Sequence, residues 1–216
     1  MLGRIARFLY FNFLIRPVVF LYLGVNIRRS FLLPKQGPAI LVANHNSHLD
    51  TMVLMIACPR SLFKQLRPVA AADYWLNGKF LTWFSRNVLN IVPIFRKKED
   101  RPEGSDPLDP VSEALNEGSA VIFFPEGSRG EPEQMAGLKR GIAILAERHP
   151  DVPVVPVYFQ GLGRALPRGE GLLVPFLCDM YVGEHLYWSG DEQEFMTRLK
   201  RRFETLSREG YKPQWE

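Results

Sequence analysis

The sequence predicts an α/β fold: a single domain with a mostly parallel central sheet flanked by helices, preceded by an N-terminal apolar helical segment. Short apolar runs, typical of strands buried on both faces, alternate along the chain with longer segments of helical periodicity. The 216 residues, 46% of them apolar and 23% charged, suffice for one packed domain and are too few for two of ordinary size. We therefore divide the chain into an N-terminal segment, residues 1–30, and a main domain, residues 31–216.

The main domain contains the elements from which the sheet is predicted. Five apolar runs are predicted as strands, at residues 39–43, 69–71, 90–94, 120–124 and 152–159, with further strands at 172–174 and 180–182. Helices are predicted to start at Ser47 and to span residues 74–87, 111–116, 138–148 and 192–208. Ser47 and Asp50 have the spacing of a capping box ahead of the first of these helices. The polar segment 97–110, with three prolines and five acidic residues, is predicted as a mobile loop.

The N-terminal segment is almost entirely apolar from Phe8 to Val25 and is rich in aromatic residues. A membrane-spanning helix needs about 20 apolar residues, and here Asn12 and the Arg16-Pro17 pair interrupt the run. We interpret it as two short helical pieces lying in the plane of a membrane, with Arg4, Arg7 and Arg16 at headgroup level. Two alternatives stay open: a helix packed on the core of the protein, and a single span.

The net charge and the two cysteines indicate which partners and which cellular location to expect. The net charge of +4 and the pI near 9.1 indicate an anionic partner. Basic residues occur in three short groups rather than in a recognisable nucleic-acid-binding module, so they indicate either solvated faces or attraction to acidic lipid, and no nucleic-acid partner is expected. Cys58 and Cys178 lack metal-ligand spacing and are predicted to be buried, reduced thiols. The predicted location is peripheral or monotopic at the inner (cytoplasmic) membrane, with the site facing the cytosol.

A first candidate site follows the strand 39–43, where His45 precedes Asp50 by five positions. Imidazole accepts a proton from an alcohol near neutral pH, and it does so best when a carboxylate holds its other ring nitrogen. Three other interpretations stay open: a metal site with His48, Ser47 as a nucleophile, and a purely structural pair. The first lacks obvious further ligands, and the second lacks an exposed nucleophile turn.

A second candidate site follows the strand 120–124, in the segment from Glu126 to Arg129. Gly127 allows a ligand to approach the backbone, and the guanidinium of Arg129 suits a phosphate. Lys139 near the next helix start and Arg96 after the third strand add cations. Since ligands collect beyond the carboxyl ends of parallel strands, both sites are expected at one edge of the sheet.

Four blocks of this sequence together resemble the glycerolipid acyltransferase family, of the 1-acylglycerol-3-phosphate acyltransferase type. The blocks are Asn44-His45-x-Ser47-x-x-Asp50, then Arg96 after an apolar strand, then Phe124-Pro125-Glu126-Gly127-Ser128-Arg129, then Val154-Val155-Pro156-Val157. They stand in the family's order between about residues 34 and 159. This chain departs from the usual pattern in three places, with Phe95 before Arg96, Ser128 before Arg129 and Gly130 after it.

The resemblance implies a role for each matching position. His45 would be the general base and Asp50 its partner, with direct attack of the alcohol on a thioester and no acyl-enzyme. Arg96, Glu126, Gly127 and Arg129 would bind the glycerol-phosphate part of the acceptor, and Pro156 would shape a pocket for the acyl chain. Asn44, Ser47, Ser128 and Lys139 complete the predicted substrate-binding set.

The predicted function is transfer of a fatty acyl chain from acyl-CoA or acyl-carrier protein to the free hydroxyl of a lysophospholipid. Lysophosphatidic acid is the favoured acceptor, because several cations converge where a phosphate would sit. No cofactor and no metal are expected, and the other partner is the membrane surface. Alternatives are acylation of another lysophospholipid or of an amino-acid lipid, a lipid-binding relative without activity, and a lipid hydrolase, which the absence of a nucleophile elbow disfavours.

Overall fold

The computed structural model describes residues 2–95, 97–101, 103–131, 134–166 and 171–210. Its centre is a seven-stranded sheet with the strand order β1-β7-β6-β2-β5-β3-β4. The strands are β1 Asn26–Arg28, β2 Ala39–Ala43, β3 Leu66–Ala71, β4 Val92–Ile94, β5 Ala120–Phe123, β6 Val154–Gln160 and β7 Asp179–Val182. Every pairing is parallel except that of β6 with β7. The predicted α/β fold with a mostly parallel sheet is confirmed.

Strand β2 lies in the middle of the sheet, and all five of its residues are buried. It pairs with β5 on one side and with β6 on the other, so that Leu41 lies opposite both Ile122 and Val155. A continuous apolar run suits this place, because a central parallel strand is covered on both faces. The parallel register also brings the chain that leaves β2 and the chain that leaves β5 to the same edge of the sheet.

Helices cover both faces of the sheet and divide the core into two clusters. The helices are α1 Leu2–Leu9, α2 Leu49–Ala57, α3 Arg60–Phe63, α4 Ala72–Trp75, α5 Lys79–Phe84, α6 Asp109–Asn116, α7 Gly141–Arg148, α8 Leu162–Ala165 and α9 Glu192–Glu209. The N-terminal helix and α2 pack on one face. Helices α6, α7 and α9 pack on the other. Successive β2 residues contribute alternately to the two clusters, as the pleat requires.

The prediction of two helical pieces broken at Pro17 is wrong, because one helix runs from Leu2 to Tyr22. Beyond α1 it continues through wide π-helical turns at Tyr10–Ile15 and Val18–Tyr22, and these flank the proline. A proline lacks the N–H of a normal turn, and the chain here absorbs that loss without ending the helix. With a mean hydropathy of 1.4, this helix is by length and composition able to cross a membrane.

The N-terminal helix has two different sides. Phe11, Ile15, Val19 and Leu23, four residues apart, are buried in the same core cluster as β2. Arg7 also packs against the protein, and its place at headgroup level stays a prediction. Its guanidinium donates to the Phe63 carbonyl at 2.9 Å and lies 4.5 Å from the centre of that ring. Burial lowers the pKa of Arg7 to about 10, so this side chain stays charged at neutral pH.

Other element boundaries differ from the predictions. The residues 172–174, predicted as a strand, have no regular structure, and β1 was not predicted. The predicted helix 74–87 is divided into α4 and α5, because Gly78 between them adopts a positive φ of 86°, and α5 continues directly into a π-helical turn at Ser85–Leu89. Helix α2 starts at Leu49, two residues later than predicted, and α7 starts at Gly141 rather than at residue 138.

Within the segment 97–110, predicted as a mobile loop, two acidic side chains bind Arg148 of α7. Its guanidinium lies 2.6 Å from Asp106 and 3.2 Å from Asp109, the residue at which α6 starts. The end of this segment that leads into α6 is therefore held against α7.

Candidate active site

Two loops meet at the carboxyl edge of the sheet. One leaves β2 at Asn44 and reaches α2 at Leu49, and the other leaves β5 at Phe124. The backbone joins them, since the Gly130 N–H donates to the His45 carbonyl at 3.0 Å. The prediction that the two motifs share one edge of the sheet is therefore confirmed.

The first loop folds so that Asp50 reaches back to His45. Asp50 is fully buried at the first turn of α2, and its Oδ2 lies 3.0 Å from Nδ1 of the His45 ring. The same oxygen accepts the backbone N–H groups of Asn46 at 2.7 Å and Ser47 at 2.8 Å. Because an ionised carboxylate only accepts hydrogen bonds, Nδ1 carries the proton, and Nε2 keeps a lone pair.

The imidazole of His45 is held from a second side by an aromatic ring. It stacks on Phe124, with the ring centres 4.0 Å apart and the planes 20° from parallel. The side chain is 18% exposed, so the outer edge of the ring is open to a reactant. Phe124 belongs to the family motif, but its contact with His45 was not predicted, because the sequence does not show which aromatic ring packs on the imidazole.

Glu126 ties the first loop to the segment that precedes α7. One carboxylate oxygen accepts the backbone N–H of His45 at 2.8 Å, and the other accepts that of Ala136 at 2.8 Å. The residue is only 3% exposed. Burial raises the pKa of Glu126, although the two backbone hydrogen bonds and the His45 ring act in the opposite direction. Its predicted binding of the acceptor stays a prediction; the observed contacts make it a positioning group for His45.

Gly127 and Lys139, both predicted to bind substrate, lie against each other. Gly127 adopts a φ of 74°, and a Cβ at this position would lie 2.6 Å from Nζ of Lys139. The Lys139 N–H donates to the Pro125 carbonyl at 2.9 Å, which fixes the lysine beside the turn. Only a glycine therefore allows this ammonium group so close to the backbone of the second loop.

Arg129 and His48 bring further charge and polarity to this edge. Arg129 is partly buried, whereas Ser128 and His48 are exposed, and the His48 ring stacks on Tyr74 with the ring centres 6.1 Å apart. Partial burial of the ring lowers the pKa of His48, and the charge of Arg129 and the neighbouring His45 imidazole lower it further, while Asp50 acts in the opposite direction. His48 is therefore near enough to Arg129 to experience its field, and its neutral form is favoured.

Two residues of the predicted substrate-binding set are engaged inside the protein. The buried amide of Asn44 donates to the Phe159 carbonyl at 2.9 Å and accepts the Phe159 N–H at 2.7 Å, which clamps the end of β2 to β6. Ser47 is buried, and its hydroxyl donates to the Leu166 carbonyl at 3.0 Å and accepts the Leu49 N–H at 3.3 Å. These contacts stabilise the first loop. Arg96 lies outside the described residues.

Pro156, predicted to border an acyl pocket, is buried in β6 opposite Val42. A Cβ at Gly183 would lie 2.8 Å from its ring, so only a small residue fits there. Two residues further along the same face, Tyr158 contributes to a cleft of about 940 Å³ between α9 and residues 135–138. His45 does not line this cleft, and the acyl pocket stays a prediction.

The described arrangement can perform general base chemistry on a hydroxyl group. One imidazole nitrogen is held by a buried carboxylate, the other can accept a proton, and Lys139 and Arg129 supply positive charge at the same edge of the sheet. Among the described residues, no group of three His, Cys, Asp or Glu side chains is placed to hold a metal ion.

Comparisons with known proteins agree with the motifs. Residues 24–160 match the family model described as "Acyltransferase". The chain is 30% identical over 157 residues to the chloroplastic 1-acyl-sn-glycerol-3-phosphate acyltransferase LPAT1 of Arabidopsis thaliana, covering 72% of this chain and 41% of that protein. It is 29% identical over 146 residues to the human 1-acyl-sn-glycerol-3-phosphate acyltransferase alpha, covering 65% of this chain and 47% of that protein. The chain thus spans less than half the length of these two relatives.

A solved structure shares the fold. The crystal structure of the 1-acyl-sn-glycerophosphate (LPA) acyltransferase PlsC from Thermotoga maritima matches with a TM-score of 0.75 at 21% identity, covering 97% of this chain and 84% of the other. The family model covers most of the chain and includes both loops of the candidate site. The predicted resemblance is confirmed: this chain belongs to the acyltransferase family and is related to the 1-acyl-sn-glycerol-3-phosphate acyltransferases.

Proposed function

We propose that this chain transfers a fatty acyl group from an acyl thioester to the free hydroxyl of a lysophospholipid at a membrane surface. The observation that carries the proposal is the buried contact of 3.0 Å between His45 Nδ1 and Asp50, which leaves Nε2 as the proton acceptor. Lysophosphatidic acid is the proposed acceptor and phosphatidic acid the product. The names of the relatives support this acceptor, since both name a 1-acyl-sn-glycerol-3-phosphate.

In the proposed reaction, His45 Nε2 takes the proton of the acceptor hydroxyl, and the oxygen of that hydroxyl attacks the thioester carbonyl. The C–S bond then breaks, and the imidazolium returns the proton to the departing thiolate. Asp50 stabilises the imidazolium through Nδ1 and keeps the ring in one tautomer. Phe124 and the Glu126 hydrogen bond to the His45 backbone fix the position of the ring. No acyl-enzyme forms.

The acceptor phosphate is proposed to bind to the cations of the second loop. Arg129 offers a planar fork for two phosphate oxygens, and Lys139 places an ammonium group over Gly127. Gly127 and Ser128 are exposed beside them and are proposed to contact the glycerol part. Arg96 stays in the proposed set on the sequence motif alone.

The acceptor is proposed to be drawn from a membrane on which the N-terminal helix lies. The outer side of this helix exposes a row of large apolar residues: Leu2, Ile5, Phe8, Leu9, Phe13, Leu14, Phe20, Leu21 and Tyr22. A helix with one buried side and one apolar exposed side fits a monotopic arrangement, because the buried side already belongs to the core of the protein. Residues 1–30 are proposed as the anchor of a catalytic domain, residues 31–216, at the inner membrane and facing the cytosol.

The donor is proposed to be acyl-CoA or acyl-carrier protein, both of which present the same thioester. No metal or cofactor enters the proposed steps, because His45 alone moves the proton. Both donors carry the acyl group on a phosphopantetheine arm, and they differ in what this arm is attached to. Separate assays with acyl-CoA and with acyl-carrier protein therefore show which donor the chain uses.

The test is an acceptor panel. The purified chain is incubated with labelled acyl-CoA or acyl-carrier protein and with lysophosphatidic acid, larger-headgroup lysophospholipids or monoacylglycerol in vesicles, and the products are identified by mass. Phosphatidic acid is the expected product. Arg129→Gln is expected to reduce kcat/KM for lysophosphatidic acid by about tenfold to a hundredfold and to affect monoacylglycerol little. Arg198→Gln on α9 is the matched control.

Two results would contradict the proposal. Equal loss with the phosphate-bearing and the neutral acceptor would remove Arg129 from phosphate binding. Absence of any acylated product with all acceptors and both donors would refute the proposed activity as a whole.

A further inference from the structure

The segment 171–177 exposes large apolar side chains outside the N-terminal helix. Leu172 and Leu177 are 73% and 76% exposed, and Val174 and Phe176 are also exposed. Among its apolar side chains only Leu173 is partly buried, packed against the core cluster that contains β2. The sequence prediction of a strand here is wrong, and the apolar residues instead point to solvent.

The backbone of this segment is held at several points. The Val174 N–H donates to the Ala165 carbonyl at 2.9 Å, and the Asn26 N–H donates to the Cys178 carbonyl at 2.9 Å. A side chain at Gly161 would overlap the Leu177 carbonyl, so that glycine lets the segment lie directly on α8. The exposure of Leu172 and Leu177 therefore results from a fixed backbone that presents them outward.

The exposed side chains continue the apolar side of the N-terminal helix. The Tyr22 hydroxyl donates to the Leu173 carbonyl at 3.0 Å, which joins the end of that helix to the segment. Leu21 beside it is 83% exposed. Arg164 lies 5.5 Å from the centre of the Phe176 ring and places a cation at the margin of the apolar surface.

The same segment reaches the candidate active site. Leu166, close before it in the chain, accepts the hydrogen bond of Ser47 in the first loop. Asp179 at the start of β7 pairs with Gln160 at the carboxyl end of β6, which places the segment at the edge of the sheet that carries His45. Apolar surface and reactive imidazole therefore share one edge of the sheet.

We infer that residues 171–177 insert into the lipid bilayer as a second membrane-contacting element beside the N-terminal helix, and so bring the catalytic edge of the sheet onto the membrane. A bilayer is the occupant favoured by an apolar surface with aromatic residues and an arginine at its margin, next to a helix apolar enough to cross a membrane. The inference builds on the proposed function, in which the acceptor comes from the membrane.

The test is a measurement of insertion that needs no enzyme activity. An environment-sensitive fluorophore is attached to the full chain at Leu177→Cys, and at Tyr187→Cys in a matched control. Both native cysteines are buried, so the introduced thiol is the accessible one. Tyr187 is exposed beyond Leu186, which pairs with Val154 at the opposite end of the sheet from His45. Vesicles of phosphatidylglycerol and phosphatidylethanolamine carry a quencher within the acyl chains.

On binding to vesicles, the probe at residue 177 is expected to shift to the blue and to be quenched by the acyl-chain quencher, and the probe at residue 187 is not. Leu172→Ser and Leu177→Ser are expected to weaken vesicle partitioning by about tenfold each, and Tyr187→Ser to leave it unchanged. A probe at residue 177 that keeps its aqueous spectrum on vesicle-bound protein would overturn the inference. A blue shift without vesicles, rising with protein concentration, would overturn it in favour of self-association.

The proposed function and this inference are tested by separate results, so either can be refuted without the other. Insertion without any acylated product would leave the second membrane element standing and refute the acyl transfer. Acyl transfer with an unshifted probe would do the opposite.

Discussion

In most soluble proteins, charged side chains lie at the surface and large apolar side chains lie in the core. The loop that carries His45 and the outer surface of the N-terminal helix depart from this rule in opposite ways. Next to the loop, in the first turn of α2, the carboxylate of Asp50 is fully buried and is held by two backbone N–H groups and the His45 ring. On the helix, Phe13 is 71% exposed although it is fully apolar. Burying a charge and exposing large apolar side chains both cost free energy in a water-soluble protein. Under the proposed function, the first region serves proton transfer and the second serves lipid contact, and each departure from the rule is the cost of that role.

Among the variants that compare these two regions, the largest effect is expected on kcat, from Asp50→Asn, which tests the buried carboxylate. The amide oxygen can still accept a backbone N–H, but the imidazolium that forms in the reaction loses its carboxylate. We expect kcat to fall by about 10³- to 10⁴-fold, with membrane binding unchanged. The rate of product formation and vesicle co-sedimentation measure the two properties. Asp109→Asn, at an exposed carboxylate bound to Arg148, is the control and is expected to keep normal activity. A loss of less than tenfold in Asp50→Asn would mean that the buried carboxylate does not support the base.

The two sides of the N-terminal helix are compared by Phe11→Ala and Phe13→Ala. Phe11 is 1% exposed and packs edge-on against the rings of Tyr10 and Phe63. Its removal is expected to lower the free energy of unfolding by about 3–5 kcal/mol. Phe13→Ala is expected to leave the free energy of unfolding unchanged and to weaken vesicle binding instead. Thermal unfolding and vesicle partitioning of both variants give the comparison, and equal destabilisation by the two would contradict the assignment of sides.

A smaller effect is expected from Glu126→Gln, which keeps the shape of the side chain. An amide nitrogen cannot accept a hydrogen bond, so either the His45 N–H or the Ala136 N–H loses its acceptor. We expect a loss of about 1–3 kcal/mol in the free energy of unfolding and a fall in kcat with little change in KM. A change in KM alone would instead indicate that Glu126 acts by binding the acceptor.

The ionisation of Glu126 adds a pH dependence to the same variant. Burial raises the pKa of this carboxyl in the folded protein. The unfolded chain therefore releases this proton first as the pH rises, and the folded state loses stability between the ordinary and the raised pKa. Glu126→Gln removes this contribution, so the wild-type chain is expected to lose more stability than the variant across that window. Unfolding followed at a series of pH values provides the measurement.

The smallest expected effect is a change in the pKa of His48. Burial is the first cause of its lowered pKa, and the charge of Arg129 is the second. Arg129→Gln is therefore expected to raise the pKa of His48 only in part, as followed by NMR titration of the imidazole. Since a lowered pKa means that the unfolded chain takes up this proton first, the contribution to stability is lost as the pH falls below the ordinary value. A His48 pKa that is the same in both proteins would show that Arg129 lies too far away to act on it.

The sequence predicted the region around His45 better than the apolar outer surface, for a physical reason. His45 and Asp50 are five residues apart, so a short turn brings them together whatever the rest of the chain does. The parallel register of β2 and β5 follows from two buried apolar runs, and it places the second loop beside the first. The helical break at Pro17 and the strand at 172–174 were wrong, because each depended on contacts with distant parts of the chain.

Long-range contacts also decided the positions of three predicted binding residues. Asn44 is held by Phe159, Ser47 by the Leu166 carbonyl, and Glu126 by the His45 and Ala136 N–H groups. All are polar residues within family motifs, and their identity alone does not distinguish a group that binds substrate from one that holds a loop. Partners more than 80 positions away in the sequence made the difference for Asn44, Ser47 and the Glu126 contact with His45.

The central claim is that His45 removes the proton of a lysophospholipid hydroxyl, and His45→Ala tests it most directly. Wild-type and variant chains are incubated with labelled acyl donor and lysophosphatidic acid in vesicles, and phosphatidic acid is quantified by mass. The variant is expected to form no phosphatidic acid above the uncatalysed rate, while its unfolding temperature and vesicle binding match those of the wild type. Phosphatidic acid formation by His45→Ala within tenfold of the wild-type rate would contradict the claim.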